Sequence, residues 1–375
     1  MNWLSNPDLR GLFWLPASFA VSALCTLLAI RYARRNNVID LPGRRRSHTA
    51  PTPRGGGIGI VLSVLLGLAA LALLSTQITL PLRLMASIGL LAAIGWVDDH
   101  RPLPAWSRLL VQLAAVAVWL WPLLRAVFAA PAAPEQQLET STVETAGVVL
   151  LLGFLTIWSI NLHNFMDGIN GLLATQAMFV LGALAWLELR DTESLRALQL
   201  GMWVAAIAGF LPFNFPRARV FMGDVGSGVV GLLIAVGVLW QTSIAQIAAA
   251  SGFIAVSAFA VDASCTLLSR MLGGRRWYLA HREHLYQWLV RSGMSHARVV
   301  TCYMGWNLLV VAPVLWWINL LPVTRRGVPV TLDAGAAWAL GVYAAGIALW
   351  ICGKRWCLRR VSSGRRHPGL LHAPA

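Results

Sequence analysis

The sequence predicts an all-α fold, a polytopic bundle of about eleven transmembrane helices, and three observations carry that prediction. Of 375 residues, 57% are hydrophobic and only 12% are charged, with a mean hydropathy of +0.65. That is too apolar for a soluble chain of this size and too long for a single anchor. Apolar stretches close to the roughly 20 residues that cross a hydrocarbon core recur along the whole chain. Arginine gathers after the first, ninth and last of them, the bias that marks cytoplasmic segments.

In order, the spans fall near 11–31, 56–75, 82–97, 107–127, 146–163, 171–188, 198–213, 225–240, 246–269, 299–320 and 335–353. The third, fifth and seventh are short, so ten is the alternative count. A weakly charged segment precedes the first, which reads as a retained helix rather than a signal peptide. Arg31, Arg34, Arg35, Arg44, Arg45, Arg46 and Arg54 follow the first span, and Arg270, Arg275, Arg276, Arg282, Arg291 and Arg298 follow the ninth. Lys354, Arg355, Arg359, Arg360, Arg365 and Arg366 follow the last. Eleven spans put all three groups on one side, with the N-terminus periplasmic and the C-terminus cytoplasmic. The acidic, Pro-rich stretch 131–145 falls on the other side, where Arg325 and Arg326 are a mild exception. No boundary or internal repeat stands out: residues 1–375 read as one integral membrane domain ending in a basic cytoplasmic tail, 354–375.

The net charge of +15 does not point to nucleic acid, because the arginines flank apolar segments and no soluble basic domain is present to hold a duplex. Five cysteines without a CxxC pair indicate neither a disulfide framework nor a zinc site.

Only nine Asp and six Glu occur, so their placement is informative. Asp98, Asp99, Asp167, Asp224 and Glu283 all fall on the side assigned to the cytoplasm. In GWVDDHRPL, residues 95–103, the acidic pair ends a helix, where exposed carbonyls disfavour a carboxylate by roughly 0.3 to 1 kcal/mol. A cation or a neighbouring Arg would relieve that cost; a solvated turn at Pro102 and Pro104 is the bland alternative. In NLHNFMDGINGL, residues 161–172, Asn161, Asn164, Asn170 and Asp167 surround a turn punctuated by Gly168 and Gly171. Their oxygens suit Mg²⁺ or a nucleobase edge, beyond what a capped turn requires. In NFPRARVFMGDVGSG, residues 214–228, Asp224 opens an apolar helix; alone it is an N-cap, in company it can hold a cation bridging phosphates. Arg217 and Arg219 are further phosphate donors.

AHREHLYQWL, residues 280–289, is not HExxH, because His281 is followed by Arg282 and Glu283 before His284, so zinc is disfavoured. As i, i+3 neighbours, His281 and His284 on a helix would share a face suited to phosphate binding or proton transfer; an amphipathic interfacial helix with Tyr286 and Trp288 as anchors is the bland alternative for part of the segment. The glycines of RRRSHTAPTPRGGGIGI, residues 44–60, match neither a dinucleotide fingerprint nor a P-loop, leaving a basic anchor from which Arg46, His48 and Arg54 stand out. Asp262 lies inside the ninth span, where an ionisable group is functional or paired; Arg270, two turns on, is its expected partner.

These motifs in this order resemble the polyprenyl-phosphate N-acetylhexosamine-1-phosphate transferases of glycosyltransferase family 4, across roughly residues 40–300. DD, NxxNxxDGxxG, N-x(6)-FMGDxGS and a His motif in successive loops carry the resemblance. It implies Mg²⁺, with Mn²⁺ as the alternative, held by Asp224 and Asn164. It makes Asp98 and Asp99 the pair that deprotonates or orients a lipid phosphate, and places Asp167 and His284 with the catalytic groups. Asn170, Asn214 and Phe221 fall where relatives hold uridine. His48, Arg54, Asn161, His281 and Arg282 complete the substrate-binding set. Asn170 departs from the bacterial Asp, which excludes a carboxylate role there but keeps a carbonyl acceptor. The HREHLYQ form looks most like enzymes that initiate O-antigen. The implied reaction takes an N-acetylhexosamine 1-phosphate from a UDP-sugar to undecaprenyl phosphate at the cytoplasmic face of the bacterial inner membrane, with membrane lipid as solvent, and is compatible with a homodimer. The alternative class is a multi-span secondary transporter, which asks for mid-membrane ionisable groups and inverted repeats.

Overall fold

The computed structural model describes residues 13–41, 50–74, 79–128, 142–190, 194–242, 246–276, 281–320 and 332–366, and it is mostly helical. Its helices are α1 (Trp14–Arg35), α2 (Ile58–Leu74), α3 (Thr79–His100), α4 (Ala105–Trp119), α5 (Trp121–Phe128), α6 (Thr142–Met166), α7 (Leu172–Arg190) and α8 (Ser194–Asn214). There follow α9 (Asp224–Thr242), α10 (Gln246–Ala255), α11 (Ser257–Leu272), α12 (Leu285–Arg291), α13 (His296–Trp306), α14 (Ala312–Leu320) and α15 (Leu332–Arg366). Two short strands, β1 (Ile39–Asp40) and β2 (Thr52–Pro53), pair antiparallel with Ile39 opposite Pro53.

Every expected span coincides with helix, but not every one is a straight rod. Among the described residues, eight helices are long and apolar enough to cross a membrane. The stretch expected as one helix over 107–127 is instead α4 and α5, bent by 78° at Leu120. Pro122 explains the bend, since it lacks an N–H and its ring collides with the carbonyl four residues back. The stretch 246–269 is likewise broken at Val256 into α10 and α11. Between α13 and α14 a π-turn, Asn307–Val311, turns the buried Asn307 amide onto Gln176 Oε1 at 2.6 Å.

α9 is the centre of the bundle. Of its apolar window 83% is buried, against 22 to 56% for the other candidate spans. It packs on α3, α6, α7 and α10, and small residues let its first turn come close to its neighbours. A Cβ on Gly95 of α3 would lie 2.4 Å from the backbone oxygen of Asp224, and one on Gly57 would lie 2.5 Å from Gly226 Cα. The start of α9 is therefore pressed against the end of α3 and the start of α2.

At that end the helices alternate. The C-terminal ends of α1, α3, α6, α8 and α11 meet the N-terminal ends of α2, α4, α7, α9 and α13, joined by the hydrogen bonds and ion pairs described below. Gly95→Ala is expected to destabilise the detergent-solubilised protein by about 1 to 3 kcal/mol, read as a lowered thermal midpoint. Gly89→Ala on the same helix, where nothing lies within 4 Å of the added methyl, is expected to leave it unchanged.

Candidate functional site

Asp99 ends α3 with its side chain fully buried. Its Oδ1 accepts the Asp224 N–H at 2.9 Å and its Oδ2 the Val225 N–H at 3.2 Å, while Arg54 Nε sits 2.7 Å from Oδ1. A carboxylate unfavourably placed at the end of its own helix is thus set on the N-terminus of α9, where orphan N–H groups and the helix dipole favour it. Gly223 makes room: its φ is +77°, and a Cβ there would lie 2.4 Å from Asp99 Oδ2.

Asp224 is held from both sides. Arg54 Nη2 donates to Oδ1 at 2.9 Å, and Arg108 Nη1 donates to Oδ2 at 3.1 Å while also reaching Asp98 Oδ2 at 3.4 Å. The other Asp98 oxygen accepts the Leu103 N–H at 2.7 Å. The Asn164 side chain lies against Asp224 and donates to Ser227 Oγ at 3.1 Å. Asp167 follows in the same turn. Burial pushes its carboxyl well above the usual range, Asp224 and Asp99 push the same way, and Arg54 opposes them.

Arg108 is the residue that sequence reasoning missed. It lies one turn into an otherwise apolar helix, and the short turn 101–104 brings it back over the acidic pair. A single cation in the first turn of a span beginning just after DD is the signal that could have found it.

The turn after α6 is stitched to the loop after α8. Asn214 is buried; its Oδ1 accepts the Gly171 N–H at 2.7 Å and its amide donates to Val220 O at 2.9 Å, so it clamps two loops together. Asn170 donates its side-chain amide to Pro216 O at 3.1 Å and its backbone N–H to His296 Nδ1 at 3.4 Å. Asn161 sits one turn earlier in a reciprocal amide pair with Gln112, the shorter bond 2.8 Å. Phe221 is half-buried beside the Arg54 strand, its N–H donating to Pro53 O at 2.9 Å. Arg217 and Arg219 are exposed, and Arg219 lies over the Phe213 ring.

The His motif folds onto the same turn. His284 is buried, its ring stacked between those of Phe165 and Tyr286 and 5.0 Å from His281. Tyr286 donates its hydroxyl to Phe165 O at 3.0 Å and packs where Gly168 has no side chain. Burial lowers the basicity of both imidazoles, His281 to about 4, with His284 and Arg270 adding to the effect at His281. Arg282 offers its carbonyl to Arg291. The expected Asp262 to Arg270 pair does not form. Arg270 instead binds Glu283 at 2.5 Å and the Arg276 carbonyl, because the chain after α11 folds back over it. Asp262 is satisfied by neutral donors from α12, α13 and α15. Among the described residues no three His, Cys, Asp or Glu side chains form a metal-holding group. His48 lies outside the described residues.

The family model of glycosyl transferase family 4 matches residues 81–242, from α3 to the end of α9. The chain is 29% identical over 311 residues to decaprenyl-phosphate N-acetylglucosaminephosphotransferase of Mycolicibacterium smegmatis, covering 75% of this chain and 74% of the relative. It is 29% identical over 310 residues to phospho-N-acetylmuramoyl-pentapeptide-transferase of Geobacillus, covering 78% and 93%. It is 30% identical over 349 residues to a putative glycosyltransferase of Streptomyces coelicolor, covering 88% and 74%.

Asn214→Ala leaves the Gly171 N–H and the Val220 carbonyl without partners in a buried place. It is expected to cost about 1 to 3 kcal/mol for each unsatisfied group, measurable as a lowered denaturation midpoint of the purified protein.

Proposed function

The chain belongs to glycosyl transferase family 4, and we propose that it transfers an N-acetylhexosamine 1-phosphate from a UDP-sugar to undecaprenyl phosphate, releasing UMP. The observation that carries this reading is the convergence of Asp98, Asp99, Asp167 and Asp224 with Arg54 and Arg108 at one end of an apolar helical bundle. Four carboxylates against two guanidinium groups leave two negative charges if all are ionised, facing two substrates that are themselves anions. Such a site asks for a cation.

The donor set fits Mg²⁺. Asp224 and the Asn164 amide oxygen are hard ligands, and few protein ligands suit an ion that keeps its waters and completes its shell with substrate phosphates. When bound, the ion would supply positive charge to offset the negative charge of the diphosphate; Mn²⁺ is the alternative. In the transfer, a phosphate oxygen of the lipid attacks the β-phosphorus of the UDP-sugar, and the bond from that phosphorus to the bridging oxygen breaks as UMP leaves. The protein's task is positioning and charge neutralisation. Asp99 fixes the first turn of α9 and so the direction of Asp224. Asp98, next to Arg108, orients the lipid phosphate. Asp167, with its raised carboxyl, takes the proton of a phosphate monoester, whose own second ionisation lies near pH 6. Arg282, His281 and His284 meet the diphosphate, while Phe221 and Asn170 hold the base by stacking and an amide contact.

An apolar cavity of about 550 Å³ between α6, α9, α10, α11 and α15, lined by Leu155, Leu162, His163, Val238, Phe253 and Tyr343, supports a prenyl acceptor. Relatives named for decaprenyl phosphate and N-acetylglucosamine support the substrate classes. The alternation of helix ends supports eleven crossings with the site at the Arg-rich cytoplasmic face of the inner membrane, and the HREHLYQ motif supports O-antigen initiation. Transport draws no support from Asp262, whose oxygens are occupied by protein donors.

Purified protein given undecaprenyl phosphate, Mg²⁺ and a panel of UDP-N-acetylhexosamines is expected to release UMP, and chelation to stop it until Mg²⁺ is restored. Asp224→Ala is expected to abolish release while the protein remains inserted; full activity in that variant would sink the reading. The basic form of Asp167 is the working one, so kcat should fall as pH drops through its raised value, above the usual carboxylate range near 4. Asp167→Asn should lower kcat by about 10²-fold or more and remove that acidic limb from the profile.

A further inference from the structure

Asp262 is a carboxylate in the interior of the bundle that the proposed chemistry does not use. It is 2% exposed, yet five donors converge on it. Oδ1 accepts the Leu285 N–H at 2.7 Å, Trp350 Nε1 at 3.0 Å and Thr266 Oγ1 at 3.2 Å. Oδ2 accepts Tyr303 OH at 2.6 Å and the Tyr286 N–H at 3.4 Å.

The two backbone donors belong to the residues immediately after His284 and are the first two orphan N–H groups of α12. The carboxylate therefore holds, from α11, the start of the short helix whose N-cap is His284. Trp350 and Tyr303 tie the same group to α15 and α13, so its position is set by three helices. His284 Nδ1 is buried with no hydrogen-bond partner and lies 3.9 Å from Asp262 Oδ1. An Nδ1–H facing a carboxylate leaves Nε2 as the atom offered to a ligand.

We infer that Asp262 is the positioning residue of the His motif: it fixes the orientation of His284 and balances the imidazolium charge when Nε2 carries a proton toward the diphosphate. This rests on the transferase reading, in which His284 meets that diphosphate. The other charged groups facing His284 are Arg270, Glu283 and Lys354, with the His281 ring tilted against it. Arg270 and Glu283 are paired with each other, and Lys354 lies over Trp350 and donates to Ser269 Oγ. Asp262 is thus the anion within ion-pair distance of the ring.

The test is a functional cycle on UMP release by full-length protein, using a UDP-sugar that the wild type accepts. Asp262→Asn is expected to lower kcat about 10 to 100-fold with KM for the UDP-sugar within about twofold. It should also move the His284 limb of the pH profile to lower pH, because removing a neighbouring negative charge makes the imidazole less basic. Added to His284→Ala, Asp262→Asn should cost nothing further, because its effect passes through the ring. Losses that multiply in the double variant, or an unmoved pH limb, would overturn the positioning role while leaving the transferase reading intact. A wild type that releases no UMP from any UDP-sugar overturns both. If Asp262→Asn does not yield inserted, monodisperse protein, Tyr303→Phe carries the same cycle. It frees Oδ2 without removing the charge, and should slow the wild type severalfold but not the His284→Ala protein.

Discussion

The arrangement of this protein's polar end depends on one interaction, the Asp99 carboxylate set on the first two N–H groups of α9. An acid at the end of a helix is misplaced with respect to its own dipole and well placed with respect to the start of the next. Bringing the two helices end to end turns a local penalty into a tertiary bond. The same bond orients Asp224, the first residue of α9, toward Arg54 and Arg108. The glycines at 95 and 223 are needed because side chains there would fall on Asp224 and Asp99. Their absence of bulk is as much a part of the site as the carboxylates.

From that junction the rest of the polar end is built by loops bonded to loops. Asn214 ties the turn after α6 to the loop after α8, and Tyr286 ties the His motif to the same turn. Each tie is a side chain hydrogen-bonded to backbone groups of another segment, so one loop fixes the next. In the low-dielectric interior of such a bundle an unmet donor or acceptor is costly, and that cost gives the loop conformations their definition. The two acids of the DD pair differ accordingly. Asp99 is consumed as a cap, whereas Asp98 keeps one oxygen turned toward Arg108.

Electrostatics and shape then point the same way. The acidic carboxylates outnumber their arginine partners, the imidazoles of the His motif are made less basic by burial, and an apolar cavity opens among the helices of the bundle. These features are the ones on which the proposed transfer of a sugar phosphate to a prenyl phosphate rests.

The sequence by itself determined the membrane-bundle class, where the apolar helical stretches run, the family and the short polar motifs, because hydropathy and motif spacing are properties of neighbouring residues. It also singled out Asp98, Asp99, Asp167, Asp224 and the His motif, since a carboxylate or an imidazole is conspicuous in so apolar a chain. Only the tertiary structure decided which of these side chains touch. The sharp bend before Pro122, the role of Arg108, the capping of α9 by Asp99 and the attachment of Asp262 to α12 rather than to Arg270 depend on how distant segments approach. The physical reason is that a helix end exposes unsatisfied backbone groups whose partner can come from any segment close in space, and local sequence carries no mark of which one arrives.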